Sequence, residues 1–383
     1  MNLPRSLRLA LIALSALSML STAGCDDGPR TLTIGVLVAQ SGTSGARGKD
    51  LLRGATLAAE EINRSAFSVD GKPLKIQIKA TDDKGEVETA TTQAHDLIDT
   101  GINAMIGPLN SNQAAAVIPI VAAKGLPQMI TATSATLLGL GQGNVLRLLA
   151  NDEQQGRAIA SFAAETLHAE RIAVVVEKSE YGRGLDASVV AALATRHLQP
   201  VASAEVDAKS QLSPEAIAQF RQAKVDTIVF LAREPQLVGL LDALDKAGWT
   251  DLAVVGTNVI RNTNVAHRPL TIRALYATAT AIDAKEFPEG KIFLEGFRKR
   301  FDSDPVWGAQ YAYDAVYALA DAARQARSLD SAALVRTLKR IEPATKVNQQ
   351  MRFAETGEQV YPNIGVYKVE RSAWAMQMMS AIW

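Results

Sequence analysis

The sequence has one cysteine, Cys25, and four histidines, His95, His168, His197 and His267. A single thiol excludes a disulfide framework and a thiolate zinc site, and no two histidines stand at metal-ligand spacing. Neither charge is in excess: 40 Lys+Arg balance 40 Asp+Glu, which removes a strongly basic nucleic-acid binder and a disordered acidic chain. Long apolar runs are missing too. The most apolar stretch, Leu9–Leu20, has 12 residues, short of the roughly 20 that a membrane-spanning helix needs.

Catalytic signatures are also absent. There is no GxSxG and no HExxH, and Gly139-Leu140-Gly141-Gln142-Gly143 has the wrong spacing for a dinucleotide loop and follows no expected strand. Gly48-Lys49 is followed by Asp50, so it is no phosphate-binding P-loop, and Asp302 and Asp304 beside Pro305 read as a loop. Nothing pairs a nucleophile with a base, so neither an enzyme nor a resident cofactor is expected.

What is present begins with an export segment. Arg5 and Arg8 precede the apolar Leu9–Leu20, and Ser21-Thr22-Ala23-Gly24 leads to Cys25, so residues 1–24 read as a signal peptide. Ala23-Gly24-Cys25 resembles a bacterial lipobox, with Thr22 where Leu is more usual. Cys25 would then be acylated and become the new N-terminus. Its chains would hold the protein at a membrane surface by anchor alone, through residues 25–30. Asp26 resembles an inner-membrane retention signal. Loss of 1–24 removes two arginines and no acids, leaving 38 minus 40, a charge of −2.

The remaining length allows two or three domains. From Thr31 onward, short β-branched runs alternate with amphipathic stretches. Strands are expected at 32–39, 74–80, 103–106 and 128–130, with helices at 49–63, 87–100 and 113–123 between them. Asp70-Gly71 marks a tight turn. A second set places strands at 172–176, 201–206, 227–231 and 252–255, with helices at 153–167, 186–198, 214–222 and 236–247. Near-continuous apolar strands alternating with helices predict an α/β fold of two lobes with parallel sheets. After 274–281 come helices at 290–300, 309–324 and 331–340, too many for one sheet, so the chain is expected to recross between lobes. Residues 350–353 and 360–369 suggest a β-hairpin around Glu355-Thr356-Gly357.

In such sheets ligands bind beyond the carboxyl ends of the strands. The loops there hold Ser41 to Gly48, Gly107 to Asn112, Thr131 to Thr136, Tyr181-Gly182-Arg183-Gly184, Arg233-Glu234 and Thr257-Asn258. Asn110 or Ser111 is placed to cap the following helix, whose free N–H groups suit a carboxylate. Each residue also has a plainer reading: Ser111 as a cap serving its helix, Thr131–Thr136 as a polar loop, Tyr181 as a surface aromatic. Their convergence favours a cleft for a small zwitterionic or polar ligand.

These residues are familiar as a set. Ile34-Gly35 through Ser41-Gly42, Gly54-Ala55 with Ile62-Asn63, Ile106-Gly107-Pro108, Tyr181-Gly182-Arg183-Gly184, Tyr313-Asp314-Ala315 and Tyr367-Lys368-Val369 run in order. Over nearly all of 31–383 the chain resembles the type I periplasmic solute-binding proteins, the leucine/isoleucine/valine receptors that feed branched-chain amino-acid ABC transporters. The resemblance implies two Rossmann-like lobes joined by a three-crossing hinge, with crossings near 148, 278 and 346. One lobe would then hold 31–148 plus 279–346, the other 149–278 plus 347–383. It further implies that Ser111, beside Asn110, holds the ligand carboxylate. Thr133, with the backbone of Thr131-Ala132, would contact carboxylate and ammonium, and Tyr181 would close over the ligand. Ser134-Ala135-Thr136 repeats the threonine pattern, and the first copy is preferred for its distance to Arg147.

The departures from that family bear on the ligand. Asn258 stands where a glutamate usually pairs the α-ammonium, which puts an amino-acid ligand in doubt unless Glu234 substitutes. Arg47 and Arg233 stand where aromatics are common; they point either to a more polar or acidic ligand, or to solvent. The implied protein is a lipid-anchored monomer in the periplasm or on the outer face of the cell membrane, delivering an amino-acid-like solute to an ABC permease, with no nucleic acid. Its rivals are a sensor of a small amide or short-chain acid, and a hydrolase on a similar scaffold.

Overall fold

The computed structural model describes residues 28–383 except 208–210, 262, 344 and 349. The signal peptide and Cys25 lie outside the described residues.

β1 (Arg30–Val38) is buried from Leu32 onward, as a strand covered on both faces must be. α1 (Gly45–Arg64) buries Leu51, Ala55, Ala58, Ala59 and Ile62 against it. β2 (Ser68–Val69) and β3 (Lys72–Asp82) form a hairpin through Asp70-Gly71. Both turn residues have positive φ, 53° and 77°, the conformation that a two-residue hairpin requires and Asp-Gly supplies. α2 (Val87–Asp99), β4 (Ala104–Ile106), α3 (Ser111–Ala122), β5 (Gln128–Ile130) and β6 (Val145–Arg147) complete a sheet of order β2-β3-β1-β4-β5-β6.

The chain then enters the second lobe with α4 (Asp152–Ser161), whose last turn widens into π geometry over Phe162–Thr166. β7 (Ile172–Glu177), α5 (Glu180–Ala194), β8 (Ala202–Val206), α6 (Pro214–Gln222), β9 (Thr227–Leu231), α7 (Glu234–Lys246), β10 (Ala253–Gly256), α8 (Thr263–His267) and β11 (Ala274–Ala279) follow. It returns to the first lobe for α9 (Gly290–Phe301), α10 (Ala309–Ala326) and α11 (Ser331–Leu338). It ends in β12 (Ile364–Glu370) and β13 (Ala373–Ser380), antiparallel additions to a sheet of order β13-β12-β11-β10-β9-β7-β8. Each sheet has apolar side chains on both faces. Leu32, Ile34, Val36 and Val38 meet α1 and α10, while Leu37 and Met105 meet α2 and α3.

Three expectations are corrected. The helix expected to begin at 186 begins at Glu180, because the Ser179 side chain accepts a hydrogen bond from Gly182 N–H at 3.1 Å and caps it. The tract from Tyr181 to Gly184 is therefore helical, not a loop. Gly182 serves close approach, since a Cβ there would stand 2.1 Å from the Glu177 carbonyl oxygen. The terminal hairpin shrinks to a single bridge, Phe353 to Gln359, and β12 pairs instead with β13, which was not foreseen.

The third correction concerns the last crossing, expected near 346. Val347, Met351 and Phe353 lie in the first lobe's core, and the Gly357 carbonyl accepts from Arg147 N–H at 2.9 Å. The anchor is Asp314 in α10, whose carboxylate accepts from the N–H groups of Lys346 (2.6 Å) and Asn348 (2.8 Å) and also from that of Val347. The passage to the second sheet thus falls between Gln359 and Ile364. The other two fall between Arg147 and Asp152 and between Ala279 and Gly290.

Candidate functional site

The first lobe offers the N-terminus of α3. Asn110 is its N-cap, but the Asn110 side chain makes no capping hydrogen bond. Its amide is 3.3–3.4 Å from Ser44 Oγ instead. Ser111 Oγ accepts from Ser134 N–H at 3.4 Å. The expected cap is thus not made by either side chain, and the first-turn N–H groups keep their affinity for an anion.

The loop after β5 is held from below by Arg147, which is fully buried. Its guanidinium donates to the Ala132 and Ser134 carbonyls, the latter at 2.9 Å, and its Nε to Glu358 at 3.0 Å. This fixes Thr131 to Ser134 as a rigid lip. Thr131 Oγ1 is buried with no partner among the described residues. The Thr133 carbonyl accepts from Asp152 N–H at 2.9 Å, while Thr136, the rival copy, is exposed.

Asp152 was not singled out in the sequence. It opens α4, yet it does not cap that helix: Asn151 does, accepting from Gln154 N–H at 2.9 Å while Gln154 Oε1 accepts from Asn151 N–H at 2.8 Å. Asp152 is only 7 % exposed, and its Oδ1 has no hydrogen-bond partner among the described residues. Burial pushes its carboxyl above the ordinary range, opposed by the Thr133 hydroxyl and by Arg147. An acid so placed favours its helix electrostatically, but that role needs no burial. Buried and half-bonded, it suits a cation.

The second lobe supplies Tyr181, whose hydroxyl donates to Thr257 Oγ1 at 3.1 Å. Burial first, and then the Asp152 carboxylate, push the Tyr181 hydroxyl well up, so it stays a neutral donor. Asn258 Oδ1 accepts from Gln155 Nε2 at 3.3 Å, and the same nitrogen donates to Thr278 Oγ1 at 3.0 Å. Gln155 lies one turn beyond Asp152 on α4, so Asn258 faces the helix that carries the acid. Arg233 Nε stands 3.1–3.2 Å from both oxygens of Glu177. Glu234 is in the first turn of α7, where its charge favours the helix N-terminus. Arg47 donates to Ser44 Oγ at 3.2 Å. Burial and the charge of Arg233 both weaken its hold on the proton, and Tyr181 strengthens it.

Arg47 from one lobe thus stands within electrostatic reach of Tyr181 and Arg233 from the other. Asn110, Ser111 and Thr131 to Thr133 share the first lip. Thr257, singled out with Asn258 in its loop, enters as the partner of Tyr181, and Asp152, Gln155 and Glu177 are additions that the sequence left unmarked. Asp152 had one legible trait, an acid at the entry to a helix just after the first crossing, which alone reads as a dipole acid.

Two α/β lobes joined by three crossings, with polar side chains on facing lips, define a bilobed solute-binding protein. The chain belongs to the periplasmic binding protein family, whose model matches residues 31–373. A Leu/Ile/Val-binding protein, BraC3, of Rhizobium johnstonii is 25% identical over 364 residues, covering 94% of this chain and 98% of its own length. The crystal structure of the branched-chain amino acid transporter substrate binding protein LivJ from Streptococcus pneumoniae, in complex with isoleucine, matches with a TM-score of 0.72. It is 23% identical, covering 92% of this chain and 99% of that one. A branched chain amino acid ABC transporter periplasmic ligand-binding protein from Burkholderia xenovorans gives a TM-score of 0.79 at 18% identity, covering 91% and 95%. The family and these relatives are solute-binding proteins, not enzymes.

Proposed function

We propose that this chain captures an amino acid or amino-acid-like small polar solute between its lobes and delivers it to an ABC permease. The observation that carries the reading is the unpartnered Oδ1 of the buried Asp152 beside Thr133, on the same rim as the uncapped N-terminus of α3. An acid and a helix N-terminus so arranged suit the ammonium and carboxylate of one zwitterion. Asp152 thereby replaces both Asn258 and Glu234 as partner of the ammonium. Ser111 and the α3 N–H groups take the carboxylate, Thr131, Ala132 and Thr133 line the space between, and Tyr181 covers it. The relatives' names, which specify leucine, isoleucine and valine, support the class of ligand.

In this reading the lobes are 31–148 plus 279–359 and 149–278 plus 360–383. Contacts from ligand to both lobes shift the population toward the closed form, which the permease reads. The protein acts as a monomer in the periplasm or on the outer face of the cell membrane, tethered at Cys25. Labelled palmitate should enter the intact chain and not Cys25→Ser; equal labelling would remove the anchor.

Titration calorimetry of the full chain in mild detergent against the L-amino acids tests the function. At least one should bind, and Ser111→Ala should weaken that binding about tenfold, the worth of one hydrogen bond to a charged group. Silence across the panel would overturn the reading; unchanged affinity in Ser111→Ala would remove the carboxylate assignment.

A further inference from the structure

The cleft holds one positive charge more than a zwitterion needs. Arg147 is matched by Glu358 at 3.0 Å and Arg233 by Glu177 at 3.1 Å, a carboxylate only 5% exposed. Asp152 is reserved for the ammonium. Arg47 has no carboxylate within 4 Å among the described residues. It is not directed to bulk water either, being partly buried with its guanidinium carbon 5.6 Å from the centre of the Trp307 ring. The bond from Arg47 Nη2 to Ser44 Oγ, and that from Ser44 Oγ to Asn110 Oδ1, tether the charge beside the residue that precedes Ser111. It therefore sits one side chain away from the carboxylate position.

Arg233 approaches from the other lobe, and only its Nε is taken up by Glu177 in this contact. Closing the lobes brings two guanidinium groups toward each other in a space from which water is being expelled. With an aliphatic side chain between them, Arg47 would be buried without a counter-charge, and the like charges would oppose closure. An anion between them removes both penalties and adds a charge-assisted bond that guanidinium geometry suits.

We infer that the ligand's side chain is itself anionic: this cleft is built for an acidic amino acid, with the side-chain carboxylate held by Arg47 of the first lobe and flanked by Arg233 of the second. The inference rests on the amino-acid reading above and narrows it away from leucine, isoleucine and valine.

The test titrates the full chain with L-glutamate, L-aspartate, L-glutamine, L-asparagine and L-leucine. Each amide differs from its acid only by the side-chain charge. The better acid should bind on the order of 30-fold more tightly than its own amide and than leucine. In Arg47→Gln that acid-to-amide ratio should fall toward one, and in Arg47→Lys it should be partly restored. Circular dichroism of the unliganded variants checks that they fold; if Arg47→Gln does not, the ratio in the unaltered chain decides. An amide or leucine binding as tightly as the acids, or an unchanged ratio in Arg47→Gln, overturns this inference and leaves the amino-acid reading standing. No binding by any of the five, nor by the other amino acids, overturns both.

Discussion

Asp152→Asn should weaken amino-acid binding by about 100-fold while the melting temperature of the unliganded chain changes little. The substitution keeps the shape and one carbonyl oxygen facing Thr133, and the cap of α4 is untouched because Asn151 makes it. What disappears is the negative charge that the proposed reading sets opposite the ammonium. Truncating one partner of a desolvated, hydrogen-bonded charge pair costs about 2–5 kcal/mol, and 2.7 of those would be the 100-fold expected. A ligand that lacks the amino group, such as glutarate in place of glutamate, supplies the control. It should bind Asp152→Asn no worse than it binds the unaltered chain, since nothing that it touches has gone.

The pH profile carries the same assignment independently. The Asp152 carboxyl is raised above its ordinary value of 3.8, chiefly by burial. Only its ionised form pairs with an ammonium, so affinity should fall on acidification at pH values above the usual carboxylate range. That step should be missing in Asp152→Asn. Calorimetry across the acidic range measures both. Equal affinity in the two proteins, or identical profiles, would return the ammonium to Asn258 or Glu234.

The scaffold was largely legible because its determinants are local and periodic. α6 and β9 fall on the expected residues, Pro214–Gln222 and Thr227–Leu231, since a Pro at the first helical position and a short β-branched and apolar run leave little choice. The start of α5 was not legible: Tyr181-Gly182-Arg183-Gly184 carries two glycines, which disfavour a helix, and the reason for Gly182, the Glu177 carbonyl packed against its Cα, shows only in the folded turn, while a Cβ at Gly184 would meet nothing within 4 Å. β13 was hidden for a similar reason. Ala373–Ser380 is only partly buried and pairs at a sheet edge through the turn at Arg371 and Ser372, both at positive φ, which their side chains do not announce.

The site divides along the same line. Hydroxyls after strand ends could be picked out because the position beyond a parallel strand is itself a structural signal. Arg47 and Arg233 were visible but ambiguous, as exposure is a property of the assembled lobes. Asp152 was passed over because an acid in a first helical turn is ordinary. Its meaning comes from the buried lip built by Arg147, 5 positions earlier in the sequence but reaching back across the sheet to Ala132 and Ser134.

Asp314→Ala should lower stability by about 4 kcal/mol, seen as a shift in the urea midpoint at unchanged slope. Asp314 is fully buried and accepts from three successive backbone N–H groups, those of Lys346, Val347 and Asn348, and from Asn348 Nδ2 at 2.8 Å. Alanine leaves those donors enclosed with no acceptor, at about 1–3 kcal/mol for each that water cannot reach. Asp314→Asn, which retains one oxygen, should cost roughly half as much. Burial pushes the Asp314 carboxyl up to about 6, against the four donors that favour its ionised form. Between 3.8 and about 6 the folded chain therefore holds a proton that the unfolded chain has released. Stability from this group is fully present below that window and is lost as pH rises through it. The gap between the unaltered chain and Asp314→Ala should accordingly be wider at pH 4 than at pH 7. These bonds hold residues 346–348 against α10, at the start of the stretch that stays on the first lobe until Gln359. A gap below about 1 kcal/mol at both pH values would mean that the segment finds other acceptors, and that Asp314 is not what holds residues 346–348 on α10.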